Sequence, residues 1–172
     1  MILTGLEIVK EVSRGNITIT PFNACQVNPN SYNIRLSETI VIYEDQVLDA
    51  ARENKAKTIL IPDSGLQVEP SLIYLGASVE IIGSTEYVPI VRARSSIARL
   101  GIFVHVTADL IDLGAVGQLT LQLHAVQATR IYANMEIGQV TFWKTQGEKV
   151  LYCGKYQGSI GPVPSKSFMD WE

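Results

Sequence analysis

The sequence predicts a mainly β fold, of barrel or jelly-roll type, with a short helix at its N-terminus. Three observations carry this. Short runs rich in Val, Ile, Thr and Tyr recur along almost the whole chain, each bounded by Asn, Asp, Gly or Pro. Only the first segment has a clear helical period. At 172 residues the chain suits one domain with a core of its own. Many strands with few helices point to a rolled or closed β architecture.

The helix comes first. Thr4 is placed to cap it and Glu7 stands at capping-box spacing. Leu6, Val9 and Val12 recur at helical spacing, and Gly15 marks the stop. Strands are expected at 17–21, 32–36, 39–43, 58–62, 72–75 and 79–82, then at 88–91, 104–107, 119–123, 129–132 and 139–143. Ser95 and Ser96 are candidates to cap a short helix over 95–100. Residues 46–57 read as a charged loop or short helix. Residues 154–172, rich in Gly, Pro, Ser and Lys, read either as a frayed tail or as a flexible lid. No internal repeat stands out.

Composition narrows the function. Hydrophobic residues make up 47% of the chain and the net charge is −3, which argues against a disordered chain and against non-specific nucleic-acid binding. No apolar run is long enough to span a membrane, and the N-terminus lacks signal-peptide character. The two cysteines, Cys25 and Cys153, belong to no CxxC or Cys/His cluster. A structural zinc site is not expected, and two buried or idle thiols fit a cytoplasmic protein.

The block from Arg92 to Asp112 holds the densest chemistry. Arg94, Ser95, Ser96 and Arg99 gather two guanidinium groups and two hydroxyls at a helix start. Such a set suits a polyphosphate, since all of these groups donate to anionic oxygen. An ordinary solvated helix start has the same residue types. Asp112, in the run IDLG, either closes an Asx turn or offers its carboxylate to a sugar hydroxyl or a water.

Six runs in order now resemble one family: NPNSYNIRL (28–36), RSSIARLG, HVTA, IDLG, IGQ (137–139) and GKYQGSIGPVPS (154–165). The chain resembles the dCTP deaminase branch of the dCTP deaminase/dUTPase family. The resemblance implies a dUTPase-like distorted barrel over residues 1–172, with 154–172 as a C-terminal lid. It also implies a homotrimer with active sites between subunits and a deoxynucleoside triphosphate (dCTP, dUTP or dTTP) bound with Mg²⁺. Carried over by position, Arg94, Ser95, Ser96 and Arg99 match the block that binds phosphate and water. Asp112 matches the aspartate near the deoxyribose. Thr120, Leu121 and Gln122 lie beside the base. Gln139, Tyr152, Lys155 and Tyr156 face the triphosphate or belong to the closing tail.

One departure changes the chemistry. Gln122 stands where the family has its catalytic glutamate, so the expected catalytic set is Gln122, Ser95, Arg99 and Asp112. A carboxamide has nearly the shape of a carboxylate but no useful basicity. No zinc-deaminase signature is present to supply another route. His124 shares a strand face with Gln122 by the two-residue period and is either a substitute base or a plain structural histidine. Asp109, Leu110, Ser159 and Ala93 also depart from the family pattern. The resulting expectation is hydrolysis of dCTP to dUTP and ammonia, impaired at Gln122. The alternatives are a diphosphatase releasing monophosphate and pyrophosphate, or a trimer that only binds nucleotides.

Overall fold

The computed structural model describes residues 1–171. In chain order the elements are α1 (Gly5–Ser13), β1 (Ile17–Thr20), β2 (Tyr32–Arg35), β3 (Thr39–Tyr43), β4 (Ala56–Leu60), β5 (Leu66–Val68), β6 (Tyr74–Ser84) and β7 (Tyr87–Ala93). They continue with α2 (Ser95–Ala98), β8 (Ile102–Phe103), β9 (Val116–Ala125), β10 (Thr129–Ile131) and β11 (Glu136–Lys144). Short 3-10 turns cover Ala24–Gln26 and Ser167–Asp170. The molecule is mainly β with one short N-terminal helix, as the sequence predicts. No helix among the described residues is long and apolar enough to cross a membrane.

Strand β6 is the spine. On one edge β3 pairs with its start and β1 with its end, while β9 runs along the other edge. β4 extends the sheet beyond β3, and β8 beyond β9. A second sheet, β2–β11–β7, and the small β5–β10 pair complete the strands. Both larger sheets feed one core, in which Ile34, Val140 and Phe142 join Ile40, Ile82, Leu121 and Leu123. Each such fully buried side chain contributes about 1.5–3 kcal/mol of transfer free energy.

The pairing of β6 with β9 breaks register between Ala77 and Ile81. Ser78 repairs the break: its hydroxyl accepts from Leu119 N (2.8 Å) and donates to Glu80 O (2.6 Å). The irregularity leaves Glu80 fully buried. There it meets Arg35 Nε at 2.8 Å, Arg35 N at 2.9 Å and Gln26 Nε2 at 3.0 Å. A buried carboxylate is tolerated only when paired and hydrogen-bonded in this way. The lock lies directly across from the stretch of β9 that leads to Gln122.

Several expectations need correction. Helix α1 buries Gly5, Ile8 and Glu11, while Leu6 is 78% exposed. The Thr4 side chain forms no cap, and Glu7 pairs with Lys10 at 3.1 Å instead. The expected strands at 72–75 and 79–82 are one strand. The segment 104–107 is loop, with β8 just before it. Residues 46–55 are loop, and β4 begins at Ala56. Cys25 and Cys153 are free and exposed, not buried.

Candidate functional site

Strand β9 alternates cleanly along its C-terminal half. Leu121, Leu123 and Ala125 enter the core, and Gln122 and His124 lie on the opposite, partly exposed face. Leu121 is therefore available to a ligand through its backbone alone. Beside β9 lies a cleft of about 540 Å³. Asp112, Thr120, Gln122, Tyr152 and Tyr156 all line it, so five of the sequence-predicted residues meet there. Its other walls include Tyr43, Leu48, Ile73, Leu75 and Gln118. Apart from Gln118, which lies on β9 itself, these come from distant segments and carry no local signal for the site.

Gln122 Nε2 donates to Thr120 O at 3.2 Å, and its Oε1 is buried without a partner among the described residues. An orphaned amide oxygen beside a cleft is an unmet acceptor, which a ligand donor or water would satisfy. Asp112 sits in a turn closed by backbone groups. Ala115 N donates to Asp112 O (3.1 Å), and Gly114 N donates to Ser84 O (2.8 Å). The Asx-turn reading fails, because among the described residues the Asp112 carboxylate accepts no hydrogen bond. Gly114 has φ +89°, and a Cβ there would lie 2.8 Å from Leu151 Cβ. Glycine at 114 thus lets Tyr152 N reach Leu113 O (2.8 Å) and hold Tyr152 in the cleft.

The C-terminal segment lies along the part of the β9 edge that β8 leaves open. Gly158 N donates to Val116 O (2.9 Å) and Gln118 N to Ser159 O (2.8 Å). Gly161 N donates to Gln118 Oε1 (2.6 Å), Val163 N to Thr120 Oγ1 (3.1 Å) and Ser165 N to Tyr43 OH (2.8 Å). Tyr156 N donates to Tyr152 OH at 3.1 Å. Lys155 Nζ is spent within the tail, 2.6 Å from Asp170 Oδ2 and 6.0 Å from the Tyr156 ring centre.

The expected clamp is elsewhere. Arg94, Ser95, Ser96 and Arg99 are not among the residues lining the cleft, and among the described residues Asp112 is its only charged lining residue. Arg94 is the N-cap of α2, a single turn, and Ser95 is its first residue, so neither serine caps it. Ser95, Ser96 and Arg99 are exposed, and Arg99 Nη1 folds back onto Ser95 O at 3.0 Å. Gln139 lies in the second sheet, where its Oε1 accepts from Ser31 Oγ at 3.0 Å. His124 packs 6.3 Å from Phe103, ring centre to ring centre, and does not line the cleft. His105, in the HVTA run, has its pKa lowered by burial, and its Nδ1 is buried without a partner among the described residues.

A rolled β domain with a cleft of this volume, a carboxylate at its wall and a glutamine on the cleft strand presents a candidate small-molecule site. The chain belongs to the dCTP deaminase-like family, whose model matches residues 2–145. It is 46% identical over 173 aligned positions to a "dCTP deaminase, dUMP-forming" of Hathewaya histolytica, covering all of both chains. It is 43% identical to a protein of the same name from Clostridium beijerinckii, covering 100% of this chain and 99% of that one. Among solved structures, the 2'-deoxycytidine 5'-triphosphate deaminase of Agrobacterium tumefaciens matches with a TM-score of 0.65 at 18% identity. That match covers 82% of this chain and spans about half (47%) of the other, and it shows the fold alone.

These relatives correct one expectation. Hydrolysis of dCTP to dUTP and ammonia is overturned as the reaction of this branch, because the relatives are named as forming dUMP. The product depends on whether phosphate is cleaved as well, and no single motif residue reports that.

Proposed function

We propose that this chain takes a pyrimidine deoxynucleoside triphosphate and delivers the monophosphate, the overall change being dCTP + 2 H₂O → dUMP + pyrophosphate + NH₃. The observation that carries this reading is the full-length identity to dUMP-forming dCTP deaminases, joined to the convergence of Asp112 and Gln122 on one cleft. In this reading the base lies along Thr120–Gln122, and the unpartnered Gln122 Oε1 accepts from it or from the attacking water. On the phosphate side, the free Asp112 carboxylate orients a water. That water forms a bond to the α-phosphorus as the bond to the β-bridging oxygen breaks. On the base side, water adds at C4, a proton moves to N3, and ammonia leaves. Gln122 can hold these groups but cannot accept the proton.

The resemblance brings Mg²⁺ on the triphosphate. As the one carboxylate lining the cleft among the described residues, Asp112 fits a role against the ion's hydration shell, and bound Mg²⁺ would supply charge neutralisation for the leaving pyrophosphate. Among the described residues no cation lines the cleft, so a triphosphate needs Arg94 and Arg99 from elsewhere. A homotrimer, in which one chain's clamp faces its neighbour's cleft, supplies them. Exposed Leu100, Phe103, Val106 and Val126 give the clamp region apolar surface for such contact. The tail is then a lid, with Tyr156 closing on the ligand while Lys155 holds the tail together through Asp170.

The test is incubation with dCTP and dUTP plus Mg²⁺, with ammonia and pyrophosphate measured separately and mass by light scattering. Pyrophosphate release by a trimer, with ammonia lagging, is the expected result. A monomer that releases neither product would overturn the reading.

A further inference from the structure

One end of the β2–β11–β7 sheet carries a row of polar side chains. Gln139 is paired with Asn33 on one side and Arg92 on the other. The register slips between Glu136 and Gly138, and a bulge of this kind re-aims the side chains around it. Glu136 is thereby brought to Arg94, with Oε2 2.8 Å from Nη1. The same oxygen accepts from Asn33 Nδ2 at 2.9 Å, and Asn33 Oδ1 accepts from Asn28 Nδ2 at 2.7 Å. Glu136 is therefore held from beneath by a chain of amides reaching back to the NPNSYN run. Among the described residues, Arg94 Nε and Nη2 make no side-chain hydrogen bond or ion pair.

A carboxylate beside a clamp arginine looks counterproductive, since it offsets the positive charge that would attract phosphate. Nor does the pair suit a stabilising role, because both side chains are about one-third exposed (36% and 31%) and pairs of that kind contribute little. What the arrangement does supply is orientation. One edge of the guanidinium is fixed, leaving the other edge, the Nε–Nη2 fork, open for two parallel bonds to phosphate oxygens. Arg99, by contrast, is folded onto its own helix turn.

We propose that Glu136 is a positioning residue that presents the free fork of Arg94 to the polyphosphate of the ligand. This rests on the function proposed above, in which Arg94 meets a triphosphate. Fixing a rotamer-rich side chain in advance spares its ordering cost on binding, which corresponds to about 3- to 10-fold in affinity.

The experiment measures the affinity of Glu136→Ala, Glu136→Gln and the unmodified chain for dUTP with Mg²⁺, and for dUMP, which lacks the β- and γ-phosphates. The expected result is a loss of about 3- to 10-fold for dUTP in Glu136→Ala and a smaller loss for dUMP, with the fold kept and the melting temperature lowered only by the acceptor that Asn33 loses. Glu136→Gln, whose amide oxygen still takes the Asn33 bond, should recover most of it. Tighter or equal dUTP binding by Glu136→Ala would overturn the proposal and make Glu136 a competitor for Arg94. An equal loss in Glu136→Gln would overturn it in favour of charge alone. Should Glu136→Ala fail to fold, Asn33→Ala releases Glu136 without altering charge and should weaken dUTP binding; no change there refutes the idea. If the unmodified chain binds no triphosphate, the function proposed above fails first and this inference with it.

Discussion

Replacing Gln122 with Glu is the sharpest perturbation this site allows. In the present geometry Nε2 donates to Thr120 O at 3.2 Å, while Oε1 is buried without a partner among the described residues. A carboxylate in the same pose sets an oxygen against the Thr120 carbonyl and buries negative charge. Losing that donor costs about 1–3 kcal/mol of stability if the group stays ionised. Protonation relieves the repulsion, so the carboxyl's pKa should rise, which suits a group that must take and return a proton near neutral pH. Ammonia release from dCTP should increase by about 10²–10⁴-fold, the usual contribution of a positioned acid/base. Pyrophosphate release should change far less, because the water on that side answers to Asp112. Ammonia is read by a coupled assay and pyrophosphate by a separate one. Equal ammonia release by the unmodified chain and Gln122→Glu would refute the argument. His124→Asn would then test the nearest other base on that strand face.

Three further outcomes follow from the same contacts. A Cβ at Gly117 would lie 2.9 Å from both the backbone N and O of Ser159, so Gly117→Val should push the tail off β9. It should lower turnover at least ~10-fold and speed proteolysis of the tail, while the core keeps its protection from hydrogen exchange. Arg99→Ala should weaken triphosphate binding by roughly 10- to 100-fold with no change in melting temperature, since the side chain is exposed and contributes charge-assisted bonds alone. Glu11 is buried and accepts from Asn16 (2.7 Å), Arg14 (2.6 Å) and Tyr87 OH (3.0 Å). Those bonds, Asn16 first, lower its pKa below 4.5. Its stabilisation is therefore complete above pH 4.5 and fades as pH falls through the lowered value. Glu11→Gln should be less stable at pH 7 by about 1–3 kcal/mol, with the gap closing in acid unfolding curves.

Local chemistry by itself determines much of the outline. Thr39–Tyr43 is a strand as its residue types predict, and α1 occupies the one segment with a helical period. Their signals are short-range: β-branched runs between turn residues, and apolar spacing ended by Gly15. The helix shows the limit of such signals. Leu6, Val9 and Val12 mark a helix correctly but not its buried face. Burial follows Ile8, and Glu11 joins it because Tyr87, Asn16 and Arg14 satisfy its charge. β6 reads as two strands because an irregularity interrupts its alternation, and only Ser78, Glu80 and the facing β9 make it continuous. β5 carries no sequence signal because three residues become a strand only through pairing with β10.

The site divides along the same line. The motifs name Asp112, Thr120, Gln122, Tyr152 and Tyr156 one by one, and Gln122 is recognisable as a departure from its position after IDLG. Their meeting in one cleft, and the separation of that cleft from Arg94–Arg99, are products of tertiary structure. Side-chain type and spacing record what a residue can do. Which residues meet is decided by strand register, by a bulge at Glu136 and by a tail laid along an open edge, all set by partners far away in the chain.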